Sequence, residues 1–349
     1  MKKRTVGILG ATGSVGQRFV QLLADHPWFT ITAVCASERS AGKRYADAVS
    51  WKQATPIPEA VRDLPISSCE PELNCDFVFS GLDASVAGEI EEAFAAAGYP
   101  VISNSKNHRM APDVPLLVAD INPEHIALID IQKKNRGFTK GYLVTNPNCS
   151  TIGLVTALKP LYDAFGIESV FVVTMQAVSG AGYPGISSMD ILDNVVPYIG
   201  NEDDKIESEP LKILGSLTDE TLVFASFGVS ATANRVPVVD GHTGSVFVKL
   251  KKPASPEEAA TVLRDYSPGS DFAGLPFMPE RTILVADSPD RPQPRLDRDV
   301  HRGMSVTVGR VRKCPQLDLR FTFLVHNTIR GAAGTAILNA ELLLLKGYL

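Results

Sequence analysis

The sequence predicts an α/β protein in which an N-terminal doubly wound parallel sheet is followed by an α+β domain. Three observations support this fold class. Apolar strand-like runs alternate with helix-like runs, a glycine-rich turn follows the first run, and 349 residues with 44% hydrophobic content suffice for two cores. We expect residues 1–148 and a C-terminal helix over 330–349 to form the first domain, and residues 149–329 to form the second.

The composition argues against several classes of protein. The formal net charge is −5 without a long basic block, which disfavours a nucleic-acid-binding tract. Glycines interrupt the apolar stretch after the basic start, so it does not resemble a signal peptide, and no apolar run suits a membrane span. The five cysteines lack metal-type spacing and are expected to be reduced. We therefore expect a soluble cytoplasmic protein that acts on small molecules, without a metal site and without nucleic-acid or membrane partners.

A strand, a glycine turn and a helix open the first domain. Residues 5–9 read as the strand, residues 10–16 as the turn, and the helix continues to about residue 24. The glycine spacing differs from the commonest dinucleotide motif, but it allows the same close approach of backbone to a diphosphate at a helix N-terminus. This pattern is typical of a Rossmann-type cofactor site, although a simple tight turn is the alternative. The candidate cofactor residues here are Gly10, Thr12, Gly13, Ser14 and Val15.

The loop after the second predicted strand, 29–36, indicates which cofactor is bound. An NAD site usually carries an acid here for the ribose hydroxyls, whereas this loop offers Ser37, Arg39 and Ser40. Hydroxyls and a guanidinium suit a 2′-phosphate, so the sequence favours NADP, provided that Glu38 points away. An ordinary solvated loop is the alternative.

The alternation of strands and helices continues through the first domain. Strands are predicted at 76–79 and 99–102, with a helix over 85–97 between them. Ser80 and Gly81 follow the first of these strands. Because strand ends line the ligand crevice of a doubly wound sheet, both residues are candidate cofactor contacts.

Cys149 is the candidate nucleophile. It lies where a strand-like run gives way, through the polar turn 145–148, to a helix predicted over 151–165. A helix start offers unpaired N–H groups and partial positive charge, which are expected to lower the pKa of a thiol and to hold an oxyanion. The alternative is a buried structural cysteine, which is the commoner environment for this residue.

Three later segments add candidate groups. A strand over 169–178 carries Gln176 near its end and leads into a glycine-rich loop, 179–185. The charged stretch 201–212 reads by composition as the start of a solvated helix. Arg235 and His242 flank a strand-like Val-Pro-Val-Val run. Each of these segments alone is weak evidence for a site.

Together these motifs resemble the aspartate-semialdehyde dehydrogenase family, and within it the archaeal and fungal branch. The segments 10–16, 146–153, 176–185, 209–215, 234–242 and 327–334 occur in the order of that family. The resemblance implies a glyceraldehyde-3-phosphate-dehydrogenase-like fold and a homodimer or homotetramer. Two positions depart from the expected pattern: His326 stands where an acid is expected, and 119–122 lacks a Pro-Glu pair.

The resemblance also implies roles for individual residues. Cys149 is the acylated nucleophile and His242 the general acid and base. The helix start itself predicts that the backbone N–H of Cys149, together with the Asn148 side chain, stabilises the oxyanion. Arg235 is expected to bind the α-carboxylate of the substrate, Glu209 its amine, and Gln176 its acyl chain. The phosphate site is expected to contain Lys106, Arg109 and Lys212, and the cofactor site is completed by Ser179, Gly180 and Asn327.

The implied activity is NADPH-dependent reductive dephosphorylation of L-aspartyl 4-phosphate to L-aspartate 4-semialdehyde, in the biosynthesis of lysine, threonine, methionine and isoleucine. Malonyl-CoA reductase is an alternative, because it would use the same cysteine, histidine and NADPH. Glu209 favours a substrate with an amine, and Lys106 with Arg109 favours a phosphate leaving group. A further alternative is a non-catalytic protein that senses NADP with the same fold. The presence of both Cys149 and His242 argues against this alternative.

Overall fold

A computed structural model describes residues 2–218 and 221–349 of the chain. The strands are β1 Arg4–Leu9, β2 Phe29–Cys35, β3 Ile66–Ser67, β4 Phe77–Ser80, β5 Pro100–Ser103, β6 Tyr142–Thr145, β7 Ile167–Gln176, β8 Ser216–Leu217, β9 Leu222–Val223, β10 Gly228–Arg235, β11 His242–Leu250, β12 Ile283–Ala286, β13 Val306–Lys313 and β14 Leu319–Val325. The helices are α1 Ser14–Leu23, α2 Tyr45–Ala48, α3 Glu59–Arg62, α4 Ala84–Ala96, α5 Leu128–Arg136, α6 Cys149–Phe165, α7 Ser188–Ile191, α8 Glu202–Ile213, α9 Pro256–Arg264, α10 Pro294–Asp297 and α11 Gly334–Leu345. Within these described ranges, no helix has the length and apolar character needed to cross a bilayer.

The first sheet is parallel throughout and has the strand order β3-β2-β1-β4-β5-β6. Its central strands are apolar on both faces because helices cover both, which explains the unbroken apolar runs in the sequence. The strand order reverses between β1 and β4. In a doubly wound sheet the ligand crevice lies at the carboxyl ends of the strands at this switch point. The predicted fold class is confirmed.

The second sheet is mixed and has the order β10-β7-β11-β14-β13-β12. Helix α6 leaves the edge of the first sheet after β6 and packs on this second sheet. Its Gly153 permits a close approach, since a Cβ there would lie 2.7 Å from the ring of Phe323 on β14. The nucleophile at the start of α6 therefore lies where the two sheets meet.

The C-terminal helix packs back onto the first sheet. A π-helical turn, Ile329–Ala333, leads into α11, whose Ile337 and Leu342 are fully buried in the hydrophobic core beside β1 and β4. On the same helix Asn339 accepts from the Ala119 N–H at 2.9 Å and donates to Asn146 Oδ1 at 2.8 Å. The helix thus contacts the polar turn that precedes Cys149.

Two local predictions were wrong. The Val-Pro-Val-Val run is a connection and not a strand, because β10 ends at Arg235 and β11 begins at His242. Pro237 has no N–H to give to a sheet, and Val239 is 64% exposed. The charged stretch after residue 201 does form a helix, α8, but its Glu209 and Lys212 are buried and not solvated.

Candidate active site

Cys149 is the first residue of α6, and Asn148 caps the helix. The Asn148 Oδ1 accepts from the N–H groups of Ser150 at 2.9 Å and Thr151 at 3.2 Å, which satisfies two of the free donors of the first turn. Its Nδ2 donates to Glu202 Oε1 at 2.7 Å. The Asn148 side chain is therefore held by the cap and by Glu202, and its role in oxyanion binding stays a prediction that depends on the second amide proton. The backbone N–H of Cys149, at the helix start, is the donor better placed for an oxyanion.

His242 lies at the start of β11 and faces the thiol. Its Nε2 is 3.1 Å from Cys149 Sγ, and its Nδ1 accepts from the N–H of Ala177 at 3.0 Å. Because a backbone N–H can only donate, the neutral imidazole carries its proton on Nε2 and presents it to the sulfur. Burial lowers the pKa of His242 to about 3, with smaller contributions of the same sign from Arg235 and His326. The resting imidazole is therefore uncharged.

The pKa of the Cys149 thiol is raised to about 12, which is opposite to the direction predicted from the helix start. Burial is the largest cause, and the Glu202 carboxylate adds to it. Arg109, Arg235 and Lys205 act in the other direction but do not outweigh burial. Without substrate the site therefore holds a thiol, and the positive charges of Arg109 and Arg235 are the groups that favour the thiolate.

Arg235 ends β10 beside this pair. Its Nη1 donates to the carbonyl of Ala177 at 2.7 Å, while its buried Nε has no acceptor among the described residues. A Cβ on Gly180 would lie 2.8 Å from that Nη1, so the loop packs closely against the end of the Arg235 side chain. Gln176 is buried at the end of β7, and its Nε2 donates to Thr174 Oγ1 at 3.3 Å. The Arg235 guanidinium therefore keeps donors that no described residue uses, and these are available to a substrate carboxylate.

A pocket of about 360 Å³ has both basic and acidic residues in its wall. Its lining consists of Lys106, Arg109, Met110, Asn201, Asp204, Lys205, Ser208 and Glu209. Arg109 Nη1 donates to Glu209 Oε1 at 2.9 Å, and Glu209 Oε2 accepts from the Asn148 N–H at 2.6 Å. This carboxylate therefore connects the pocket to the residue before the nucleophile. Since a carboxylate has about four acceptor sites, it can still accept from an ammonium group.

Lys212, predicted for the phosphate site, is buried and is not among the residues that line that pocket. Its Nζ donates to the carbonyls of Arg109 at 2.6 Å, Ala111 at 2.6 Å and Val114 at 2.8 Å. Its role in phosphate binding stays a prediction, since a phosphate contact would have to replace one of these bonds. Burial lowers the pKa of Lys212 to about 8. The residue stabilises the loop that carries Arg109.

The glycine turn has the shape of a diphosphate cradle. Gly10 has φ +74°, and a Cβ there would lie 2.8 Å from the carbonyl oxygen of Gly81, so the turns after β1 and β4 touch. Gly13 precedes α1, and no side chain caps that helix. The first N–H groups of α1, at Ser14 and Val15, are free for an anion. Thr12 accepts through its carbonyl from Gln17 Nε2 at 2.9 Å, which fixes the turn.

The loop beyond β2 carries the other predicted cofactor groups. Ser37 precedes a short 3₁₀ turn, Glu38–Ser40, in which Arg39 is exposed. Glu38 is exposed as well, so it is free to point away from a bound phosphate. Ser80, by contrast, is fully buried at the end of β4.

Asn327 connects two loops of the site. Its Oδ1 accepts from the Gly241 N–H at 2.8 Å, next to His242, and its Nδ2 donates to Ser179 Oγ at 2.8 Å. Both loops lie against the catalytic pair. A group bound near Asn327 would therefore lie beside the reacting sulfur.

Comparison with known proteins agrees with this geometry. Residues 5–129 match the family described as semialdehyde dehydrogenase, NAD binding domain, and residues 158–330 match the semialdehyde dehydrogenase dimerisation domain. Aspartate-semialdehyde dehydrogenase from Archaeoglobus fulgidus is 51% identical over 97% of this chain and 98% of its own. The Cryptococcus neoformans enzyme of that name is also 51% identical, over 99% and 98%. The chain belongs to the aspartate-semialdehyde dehydrogenase family.

Solved structures agree with this assignment. The crystal structure of aspartate semialdehyde dehydrogenase with NADP from Candida albicans is 48% identical, covers 100% of both chains and has a TM-score of 0.92. Aspartate semialdehyde dehydrogenase II of Vibrio cholerae complexed with ASA is 28% identical at full coverage, with a TM-score of 0.77. The resemblance seen in the sequence is confirmed, and these relatives give no support to malonyl-CoA reductase.

One residue of this site was missed in the sequence. Glu202 is 5% exposed, accepts from Asn148 with one oxygen and from Lys205 Nζ at 2.9 Å with the other. The pairing with Lys205 holds the pKa of its carboxyl below the usual value despite burial, so it is charged. Glu202 shares the first turn of α8 with Asp203 and Asp204. The sequence alone does not indicate which of these acids is buried, and for that reason Glu202 was missed.

Proposed function

We propose that this protein reduces L-aspartyl 4-phosphate to L-aspartate 4-semialdehyde with NADPH and releases phosphate. The observation that carries the proposal is the 3.1 Å contact between Cys149 Sγ and His242 Nε2 at a helix start. Two further observations support it: Lys106 and Arg109 line a pocket whose Glu209 also accepts from the N–H of Asn148, the residue before Cys149, and the glycine turn after β1 suits a diphosphate. We also propose that this reaction serves the biosynthesis of lysine, threonine, methionine and isoleucine.

The first chemical step is attack of the Cys149 sulfur on the acyl carbon of the substrate. Phosphate leaves as the thioester forms, and the proton lost by the thiol ends on that phosphate. The Cys149 N–H is placed to stabilise the oxyanion at the acyl carbon, and the His242 Nε2–H stabilises the sulfur. Bound NADPH supplies the hydride that reduces the thioester. Collapse of the resulting thiohemiacetal then releases the aldehyde and the sulfur.

His242 also acts as general acid and base in this proposal. The His242 imidazole can take a second proton only at Nδ1, and this would break the hydrogen bond from the Ala177 N–H. This cost acts in the same direction as burial, which lowers the pKa of His242 to about 3. Proton transfer at Nε2 is therefore coupled to rearrangement of that contact when substrate enters. Catalytic hydrogen bonds commonly change in this way between the free enzyme and its substrate complex.

Substrate recognition divides between two sides of the sulfur. Arg235 binds the α-carboxylate through guanidinium donors that the protein leaves unused, and Gln176 orients the acyl chain. Glu209 accepts from the substrate amine, while Lys106 and Arg109 hold the phosphate.

The proposed cofactor is NADP(H). Gly10, Gly13 and Gly81 shape the turn for the diphosphate, and Ser37, Arg39 and Ser40 bind the 2′-phosphate. The remaining contacts proposed for the cofactor come from Thr12, Ser14, Val15, Ser80, Ser179, Gly180 and Asn327. The fit of the turn is supported by the 2.8 Å spacing that excludes a Cβ on Gly10.

We also propose a homodimer built on the second sheet. Phe171 and Val173 on β7 are 49% and 42% exposed, which is unusual for apolar strand residues. A second copy would cover this face, and a tetramer would be a pair of such dimers. The domains divide as residues 1–148 with 330–349, and 149–329. The five cysteines, all free, suit the cytoplasm.

The test uses the purified protein with L-aspartate 4-semialdehyde and NADP, followed by absorbance of the reduced nicotinamide. We expect reduction that depends on added phosphate and proceeds faster with NADP than with NAD. Cys149→Ala should abolish turnover and leave the dissociation constant of NADP within about two-fold. The proposal would be contradicted if Cys149→Ala kept its turnover, or if the rate of the unmodified protein did not depend on phosphate.

A further inference from the structure

The side chain of Asn146 connects the segments that surround the nucleophile. Asn146 is fully buried, and its backbone N–H donates to the carbonyl of Ser103, the last residue of β5, at 2.7 Å. Its Nδ2 donates to Asn104 Oδ1 and to the carbonyl of Ala332, both at 3.0 Å. One amide group therefore links the turn before Cys149 to the loop after β5 and to the π-helical turn that precedes α11.

Both of these neighbouring segments belong to the site. Gly331, in the π-helical turn, lies against the nucleophile, since a Cβ on it would be 2.8 Å from Cys149 Cβ. This turn follows shortly after the residue proposed to lie near the nicotinamide. On the other side, the carbonyl of Asn104 accepts from Arg109 Nη2 at 2.8 Å. The Asn146 side chain is therefore bonded to both of the segments that meet at the sulfur.

The orientation of the Asn146 amide is fixed from α11. Asn339 is fully buried there; its Oδ1 accepts from the Ala119 N–H at 2.9 Å, and its Nδ2 donates to the Leu117 carbonyl at 2.9 Å. Because a backbone N–H only donates and a carbonyl only accepts, these two partners allow Asn339 one orientation and leave one Nδ2 proton over. That proton is donated to Asn146 Oδ1 at 2.8 Å. Asn146 must then turn its own Nδ2 toward the Ala332 carbonyl.

We infer that Asn146 is a positioning residue for the nucleophile and that Asn339 sets its orientation. This inference deepens the proposed function and rests on it. Asn339 acts only through Asn146, which holds the π-helical turn and the loop after β5 in place beside Cys149. Because a misplacement of about 1 Å can cost about a hundred-fold in rate, loss of this link lowers kcat. The KM for semialdehyde changes little, because Arg235 keeps its own bond to Ala177.

The first variant is Asn339→Asp, which keeps the shape of the side chain. Its carboxylate still accepts from the Ala119 N–H but has no proton to give to Asn146 Oδ1. We expect kcat for NADP reduction by L-aspartate 4-semialdehyde to fall about ten-fold or more, and the KM for semialdehyde to stay within about three-fold. Asn146→Ser should lower kcat as much. Serine brings no charge, so this fall cannot come from the field of a new carboxylate.

The matched control is Asn122→Asp. Asn122 is buried, accepts from the Val118 N–H at 2.8 Å and donates to the Leu116 carbonyl at 2.9 Å, as Asn339 does with the neighbouring residues. Its third contact is to His125 Nδ1, at 2.9 Å, and not to the turn before the nucleophile. Both Asp variants should lower the thermal midpoint of unfolding by similar amounts, and only Asn339→Asp should lower kcat. Equal kcat values in these two variants would overturn the inference.

Alkylation of Cys149 by iodoacetamide tests the inference without turnover. Mass spectrometry of the Cys149 peptide should show alkylation at least about three-fold faster in Asn146→Ser than in Asn122→Asp, because a looser π-helical turn uncovers the sulfur. Equal rates in these two variants would contradict the positioning role. Turnover of the unmodified protein that does not depend on phosphate would instead contradict the proposed function. If Asn339→Asp does not fold, a normal kcat in Asn146→Ser, which leaves α11 unchanged, still overturns the inference.

Discussion

Gly180→Ala is expected to impair catalysis without unfolding the protein. A methyl group on Gly180 would lie 2.8 Å from Arg235 Nη1 and 3.1 Å from both Cε1 and Nε2 of His242. Ordinary contact begins at 3.4 Å, so the guanidinium must move by about 0.6 Å and the imidazole by about 0.3 Å. The backbone of Gly180 lies outside the left-handed region, so alanine adds steric contact but no backbone strain.

The size of the effect follows from what these two groups do. The bond from Arg235 Nη1 to the Ala177 carbonyl is 2.7 Å long, and the contact of His242 with Cys149 Sγ is 3.1 Å. Displacement of both groups should raise the KM for semialdehyde and lower kcat. Because misplacing catalytic groups by about 1 Å can cost about a hundred-fold, we expect kcat/KM to fall about ten- to hundred-fold.

The assay is NADP reduction with saturating phosphate, together with the thermal midpoint of unfolding. The matched control is Gly274→Ala, because a Cβ on Gly274 would meet no atom within 4 Å. Both variants should unfold within a few degrees of the unmodified protein, and only Gly180→Ala should lose activity. Activity of Gly180→Ala within about three-fold of the control would refute the packing argument.

Three further predictions concern the thiol, the cofactor and the fold. Because the pKa of Cys149 is raised to about 12, alkylation by iodoacetamide in the free enzyme should rise about ten-fold per pH unit between pH 7 and 9; a plateau near pH 7 would contradict the buried thiol. Arg39→Ala should weaken NADP binding at least about ten-fold and leave NAD binding unchanged, as measured by calorimetry, and equal losses for both would exclude a 2′-phosphate contact. Asp120→Ala should lower the free energy of unfolding in urea by about 3–5 kcal/mol, because it strands the fully buried Arg330 that Asp120 binds at 2.8 Å. The same change at Asp287, in an exposed pair with Arg264, should have little effect, and equal losses at both positions would refute this assignment.

The segment 119–122, which departs from the expected family pattern, contains Asp120, which forms a buried ion pair with Arg330. The segment 119–122 lacks the Pro-Glu pair that the resemblance led us to expect. Its Asp120 is fully enclosed and accepts from Arg330 and from Thr282 Oγ1 at 3.1 Å. The segment thus contributes to stability beside the turn that covers Cys149, and it contains no proposed catalytic group.

The sequence alone determined the fold class, the family and the order of the motifs. Alternating apolar runs and the glycines of residues 10–16 are local features, because periodicity and backbone freedom depend on residues close together in the chain. Cys149 at a helix start could be recognised for the same reason. The Asn148 cap and the glycine turn both involve neighbours within a few residues.

Only the tertiary structure decided how the charged groups are used. The Lys212 ammonium donates to three backbone carbonyls that lie about a hundred residues away in the chain. Glu202 is buried and accepts from Asn148, the capping residue of α6. Burial and the Glu202 carboxylate raise the pKa of the Cys149 thiol, against the direction predicted from the helix start. Solvation and charge pairing depend on distances between remote segments. No local pattern encodes those distances, and for that reason the sequence could not show that Glu202 and Lys212 are buried.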